Sequence, residues 1–270
     1  RDLLGHSIPL LFAGIVAWPL TFVPVVVGTM TSPESVAYYS LAISLASFIY
    51  MGVSATEAAG LSVWSSYLSS DNNLRLSDDY RMSTRWGIIF GSLGFVPLIL
   101  CPGEIVISLF GQKFVAVADI LPAMSCIFFF NLLTGPTESI LKAYGATRFI
   151  LLSRITVGVV VLILLYPAVI NWGINGAVAV YGLSVLVGSI GMYSGRLYMY
   201  YGLHPIDKYF LFLLCSIGSS ALLSHFSIDY LTIFNSNIGI VIKTVLFYFF
   251  FLVLHLLIFP VLSPRDRIFL

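Results

Sequence analysis

Apolar residues run through this chain in long uninterrupted blocks, separated by short polar turns. Three blocks are sharpest, at residues 121–144, 149–170 and 174–201. Each exceeds the roughly 20 residues that a helix needs to cross a ~30 Å hydrocarbon core. Further blocks lie at 7–29, 36–61, 86–110, 209–226 and 238–262. They are too long for the ~10-residue strands of a membrane barrel. The pattern predicts an all-α, polytopic transmembrane bundle of about eight spanning helices. Between the second and third blocks in chain order, residues 69–85 carry Asp71, Arg75, Asp78, Asp79, Arg81 and Arg85, and read as a hydrophilic loop. Pro97 and Pro102 are expected to break the block at 86–110, and 111–119 reads as a short interfacial turn with Lys113.

The basic residues assign the two sides. With the N-terminus inside, Arg1, Arg75, Arg81, Arg85, Lys142, Arg148, Arg196, Lys208, Arg265 and Arg267 all fall on the inner side, with Arg154 about a turn into its block. Lys113 is left outside, with Lys243 just within the last block. By the positive-inside rule both termini are cytoplasmic, and the turn at 171–175 faces out. Interfacial rings agree: Trp64 and Trp86 flank the polar stretch, Tyr198, Tyr200 and Tyr201 end a block inside, and Trp172 marks the outer side.

Composition supports the same class. Of 270 residues, 59% are hydrophobic and 9% charged, with mean hydropathy +1.00. Soluble domains carry about 25% charged residues. The net charge of +1 gives no reason to expect nucleic acid. Cys101, Cys126 and Cys215 lie in apolar runs without metal-ligand spacing, and read as small apolar residues. The chain begins at Arg1 without Met or a signal-peptide pattern, and reads as part of a longer protein.

Candidate chemistry is sparse. Glu57 and Glu138 are carboxylates within spans, where an ionisable group is costly and faces a wet cavity or the bundle interior. They are candidates for a cavity or coupling role. Glu138 also has Lys142 four residues on, a spacing that forms a local pair. Gly135-Pro136 predicts a broken helix and a hinge, as do Pro19 and Pro24 in the first block. Arg154, Arg148, Lys142 and Arg85 sit at inner membrane depth, and their side chains suit the diphosphate of a lipid-linked substrate. Anionic membrane lipids are the competing partner. Gly191-x-x-x-Gly195, with Gly188, reads as helix packing, and His255 as a core histidine. No metalloprotease, serine-hydrolase or phosphate-loop motif is present.

Several stretches carry a family resemblance: Tyr38-Tyr-Ser-Leu-Ala42, Leu109-Phe-Gly-Gln-Lys-Phe114 with Ala118 and Leu121, Gly135, Leu141-Lys-Ala-Tyr-Gly145 and Gly173-Ile-Asn-Gly-Ala-Val-Ala179. Over residues 1–205 the chain resembles the polysaccharide (oligosaccharide-lipid) flippases of the multidrug/oligosaccharidyl-lipid/polysaccharide exporter superfamily. One departure follows the second block, where many relatives have a Pro-x-x-Ser-like turn and this chain reads Ala58-Ala-Gly-Leu-Ser-Val-Trp64.

The resemblance implies two six-helix lobes around a cavity. Residues 1–205 would be the second lobe, 206–270 two additional helices with a short cytoplasmic tail, and the N-terminal lobe would lie outside this chain. It also implies alternating-access flipping of a lipid-diphosphate-linked glycan across the cytoplasmic membrane. No cofactor is implied, and several members couple to a proton or sodium gradient. A cation-coupled multidrug antiporter is the alternative, expected to hold acidic groups deep in its cavity. A glycan-assembly enzyme would need a large outer loop bearing Arg or His, which this chain lacks.

Overall fold

The computed structural model describes residue 12, residues 23–229 and residues 248–249, without the side chains of 208 and 223–229. The expectations for Arg1, Pro19, the Lys208 side chain, Lys243, His255, Arg265 and Arg267 lie outside the described residues.

Among the described residues the structure is helical without strands. The helices are α1 (Val23–Met30), α2 (Pro33–Ser47), α3 (Met51–Ser69), α4 (Asn73–Leu100), α5 (Pro102–Phe110) and α6 (Val117–Leu133). They continue with α7 (Thr137–Ala143), α8 (Thr147–Val185), α9 (Gly195–Tyr201) and α10 (Lys208–Asp229). A 3-10 turn at Phe48–Tyr50 joins α2 to α3, another lies at Gln112–Phe114, and a π-helical segment, Leu186–Ser194, joins α8 to α9.

Among the described residues four helical stretches are long and apolar enough to cross a membrane: Pro33–Ser69, Asn73–Leu100, Val117–Ala143 and Thr147–Tyr201. The last holds 55 residues, about 80 Å if straight, far more than the ~30 Å core. It does not run straight. Gly173 takes φ 55° and ψ −134°, outside any helical region. The two arms then lie side by side, with Gly188 against Val157 and Arg196 over the Phe149 ring. The stretch is therefore a hairpin, reversing within the turn expected at 171–175.

The polar stretch at 69–85 is not a loop. A turn at 70–72 suffices, with Asn72 capping α4 through its side chain to the Arg75 amide at 3.3 Å. From Asn73 onward the stretch is helical because it is amphipathic. Leu76, Tyr80, Thr84 and Ile88 recur every fourth residue and are all fully buried. Pro97 stays inside α4, and the break comes at Pro102, the first residue of α5. Proline suits that position because a first-turn amide has no partner to lose.

Packing falls into two cores. The larger joins α1, α2, α4, α6 and the Gly173 end of α8. The smaller joins Trp64, Leu76, Tyr80, Ile140, Leu141, Ile150, Tyr193, Leu197 and Leu203 at the other end. Trp64 belongs to this core at 2% exposure, and so is not an interfacial ring. Trp172 keeps the expected exposed position at the opposite end. Every described basic side chain except Lys113 lies toward the smaller core, here called the basic end.

Close helix crossing is set by Gly87-Ile-Ile-Phe-Gly91. A Cβ on Gly87 would meet Val53 at 2.5 Å, and one on Gly91 the Ile49 carbonyl at 2.7 Å. The expected pair at Gly191 and Gly195 has no such neighbour: the nearest atoms belong to Leu186 and Met199, on the same stretch of helix.

Candidate functional site

Gly135-Pro136 breaks the apolar run at 121–144 into α6 and α7. Gly135 takes φ +68°, which ends α6, and Pro136 caps α7. Ending a helix strands its last carbonyls. Here they are met locally. The Tyr80 hydroxyl donates to the Thr134 carbonyl at 2.7 Å, the Thr134 hydroxyl to the Asn131 carbonyl at 2.7 Å, and the Gly135 amide to the Leu132 carbonyl at 3.0 Å. A Cβ on Gly135 would collide with the Thr84 hydroxyl, which is fixed on the Tyr80 carbonyl at 2.8 Å. The bend is thus a built feature of the fold.

Beyond the bend, α7 starts a new register and turns Glu138 and Lys142 into a polar cavity of about 250 Å³. Tyr50 and Glu57 line it from the α2–α3 rod, Asn131 from α6, Thr137 and Ser139 from α7, and Ser189 and Tyr193 from the π segment. Glu57 accepts a hydrogen bond from the Tyr50 hydroxyl at 3.3 Å, two helical turns earlier. The spacing-predicted pair forms, with Lys142 Nζ 2.8 Å from Glu138 Oε1. Arg154 Nη2 from α8 reaches that same oxygen at 2.8 Å, and the Arg154 guanidinium also donates to the Tyr193 hydroxyl. All three charged side chains keep a quarter or so of their surface open, so the cluster stands at the edge of the cavity and not in a dry core.

The two carboxylates singled out separately from the sequence therefore share one cavity, which one candidate cation, Lys142, lines and a second, Arg154, reaches through its pair with Glu138. The other two point elsewhere. Arg148 is exposed and begins a stripe of exposed residues down α8, through Leu152, Ile155, Val159, Ile163, Tyr166 and Ile170. That spacing of three and four marks one exposed, largely apolar side of the helix, away from the cavity. Arg85 donates Nε to the Arg81 carbonyl at 3.3 Å and lies 5.5 Å from the Tyr209 ring centre, between α4 and α10. Pro24 sits in the first described turn of α1, away from this bend.

Six lining residues were not singled out in the sequence: Tyr50, Asn131, Thr137, Ser139, Ser189 and Tyr193. Asn131 is an amide inside an apolar run, which is a usable sign. Ser189 and Tyr193 depend on the π segment. The π turn is wider than an α turn and changes the register of the residues along it. A regular 3.6-residue helical wheel places them differently.

Among the described residues no group of three or more His, Cys, Asp or Glu is arranged to hold a metal ion. A second cavity of about 300 Å³ lies between the arms of the α8 hairpin near Trp172, and it is apolar.

Comparison with curated proteins and with solved structures gives no match. Comparison with family models matches MatE over residues 9–167, more than half of the chain. That span takes in α1 to α7, the Gly135-Pro136 bend, Glu57, Glu138, Lys142 and Arg154. The chain belongs to the MatE family, membrane transporters of the multidrug/oligosaccharidyl-lipid/polysaccharide exporter superfamily, and is a multi-pass helical membrane protein.

Proposed function

We propose that this chain forms the second lobe of a flippase that moves a lipid-diphosphate-linked glycan from the inner to the outer leaflet of the cytoplasmic membrane. One observation carries the reading. Lys142 lines a cavity formed otherwise by hydroxyls, an amide and two carboxylates, and Arg154 stands behind that lining, paired with Glu138. Hydroxyl and amide groups suit the many donors and acceptors of a sugar. A guanidinium suits phosphate oxygens, which it can grip with two parallel hydrogen bonds. The lipid tail would remain in the bilayer beside the cavity. The basic end faces the cytoplasm under the positive-inside rule, where such a precursor would enter. Residues 206–270 would add two helices, and a first lobe would complete the transport path.

The antiporter reading has one observation in its favour: Glu57 lines the cavity and bonds to a tyrosine hydroxyl, an arrangement suited to a cationic drug. Against it, Glu138 is already neutralised by two cations, so the cavity offers little net negative charge. Replacing Arg154 by Ala separates the two. Glycan export should fall by at least tenfold with protein abundance kept, and efflux of cationic dyes should not change. Unchanged export together with lost dye efflux would establish the antiporter instead.

A further inference from the structure

We propose that Glu138 is a built-in stand-in for the substrate's diphosphate, holding Lys142 and Arg154 until an incoming diphosphate displaces it and unties α7 from α8. The proposal rests on the flippase reading and concerns the control of that same site.

Glu138 presents a single oxygen, Oε1, to both cations at 2.8 Å. Those are the contacts that a phosphate oxygen would make with the same two side chains. The groups best suited to the substrate are thus already engaged by an internal anion. A diphosphate cannot simply join them. It would bring at least two negative charges beside Glu57 and Glu138, where among the described residues Lys142 lines the cavity and Arg154 pairs with Glu138. Like charges at that range in a part-buried site repel strongly. Binding therefore has to be an exchange, in which Glu138 turns toward the wet cavity as the diphosphate takes its place. A diphosphate can span both cations with separate oxygens, whereas Glu138 meets them with one. The exchange therefore favours a diphosphate over a singly charged or neutral headgroup.

The exchange also has a mechanical consequence. Lys142 lies on α7 with Glu138, four residues on, so their pair moves as a unit. Arg154 lies on α8, so the Glu138–Arg154 pair is a tie between helices. Seven-residue α7 has a break at each end, at 134–136 and at 144–146. Loss of the tie leaves α7 held to α8 by the apolar packing of Ile140 and Leu141 with Ile150 alone, a short segment between two bends of the kind that can shift when a cavity changes shape.

The test measures binding of farnesyl diphosphate to the purified full-length protein in detergent by titration calorimetry, with farnesol as the control. Three forms are compared: wild type, Glu138→Gln and Arg154→Gln. Exchange predicts that Glu138→Gln binds about fivefold tighter or more, since a part-exposed ion pair no longer competes. It predicts that Arg154→Gln binds at least tenfold weaker, and that farnesol binds none of them differently. Glu138→Ala should repeat the gain, and it replaces Glu138→Gln should that variant fail to elute as a monodisperse species. A merely structural Glu138 would weaken binding on removal. Equal or weaker binding by the Glu138 variants, with loss in Arg154→Gln, overturns the exchange and leaves the diphosphate site standing. Binding that is absent from the wild type, or indifferent to Arg154, overturns the site and the flippase reading together.

Discussion

Gly135 and Gly173 both interrupt a long apolar run with a positive φ, 68° and 55°, and the chain around them differs in almost every other respect. Gly135 is buried among Thr84, Tyr80 and Thr134, and a Cβ there meets the Thr84 hydroxyl. Gly173 has nothing within 4 Å of a Cβ position. At Gly135 the freed carbonyls are taken up by side chains, and the following helix carries the charged cluster. At Gly173 the chain only reverses, with Asn171 Nδ2 donating to the Pro167 carbonyl at 2.8 Å and an apolar cavity alongside. One break shapes a site and the other makes a hairpin. A glycine signal in sequence does not distinguish them. What stands opposite the glycine does.

The sharpest way to break this contrast is to add a methyl group at each position. Gly173→Ala should cost about 1–3 kcal/mol, the strain of holding a Cβ residue at positive φ. Gly135→Ala carries the same strain and adds overpacking against Thr84, about 1–3 kcal/mol more. Thermal midpoints in detergent should rank wild type above Gly173→Ala and both above Gly135→Ala. Equal loss at the two sites would show that the Gly135 bend is as loosely packed as the hairpin turn. A smaller effect sharpens the same comparison. Tyr80→Phe removes the hydroxyl on the Thr134 carbonyl, both groups being buried, and should cost about 1–3 kcal/mol. It should also lower transport, because the bend that aims α7 loses its anchor. A variant as stable and active as the wild type would mean that water meets that carbonyl equally well.

The spans among the described residues, the turn at 171–175, the bend at Gly135-Pro136 and the Glu138–Lys142 pair were legible because each follows from local rules: block length, glycine and proline geometry, and i,i+4 spacing. Residues 73–85 were misread because charge count hid their period. Leu76, Tyr80, Thr84 and Ile88 already mark a helix face. Gly87 and Gly91 meet a neighbouring helix, while Gly191 and Gly195, at the same spacing, have none crossing them among the described residues. Spacing alone cannot say which small residues face a partner. Arg154 from α8 joining Glu138 on α7 depends on tertiary packing, and the register of Ser189 and Tyr193 on a π turn. Neither is encoded by nearby residues alone.

The account turns on which compartment the charged cavity faces. Single cysteines at Leu74, 82% exposed at the basic end, and at Trp172, 67% exposed at the hairpin turn, report it directly in a form with Cys101, Cys126 and Cys215 replaced by alanine. A membrane-impermeant maleimide added to intact cells should label Trp172→Cys at once, and Leu74→Cys only after permeabilisation. Labelling of Leu74→Cys in intact cells, with Trp172→Cys protected, would place Glu138, Lys142 and Arg154 on the outer side and contradict uptake of a substrate from the cytoplasm.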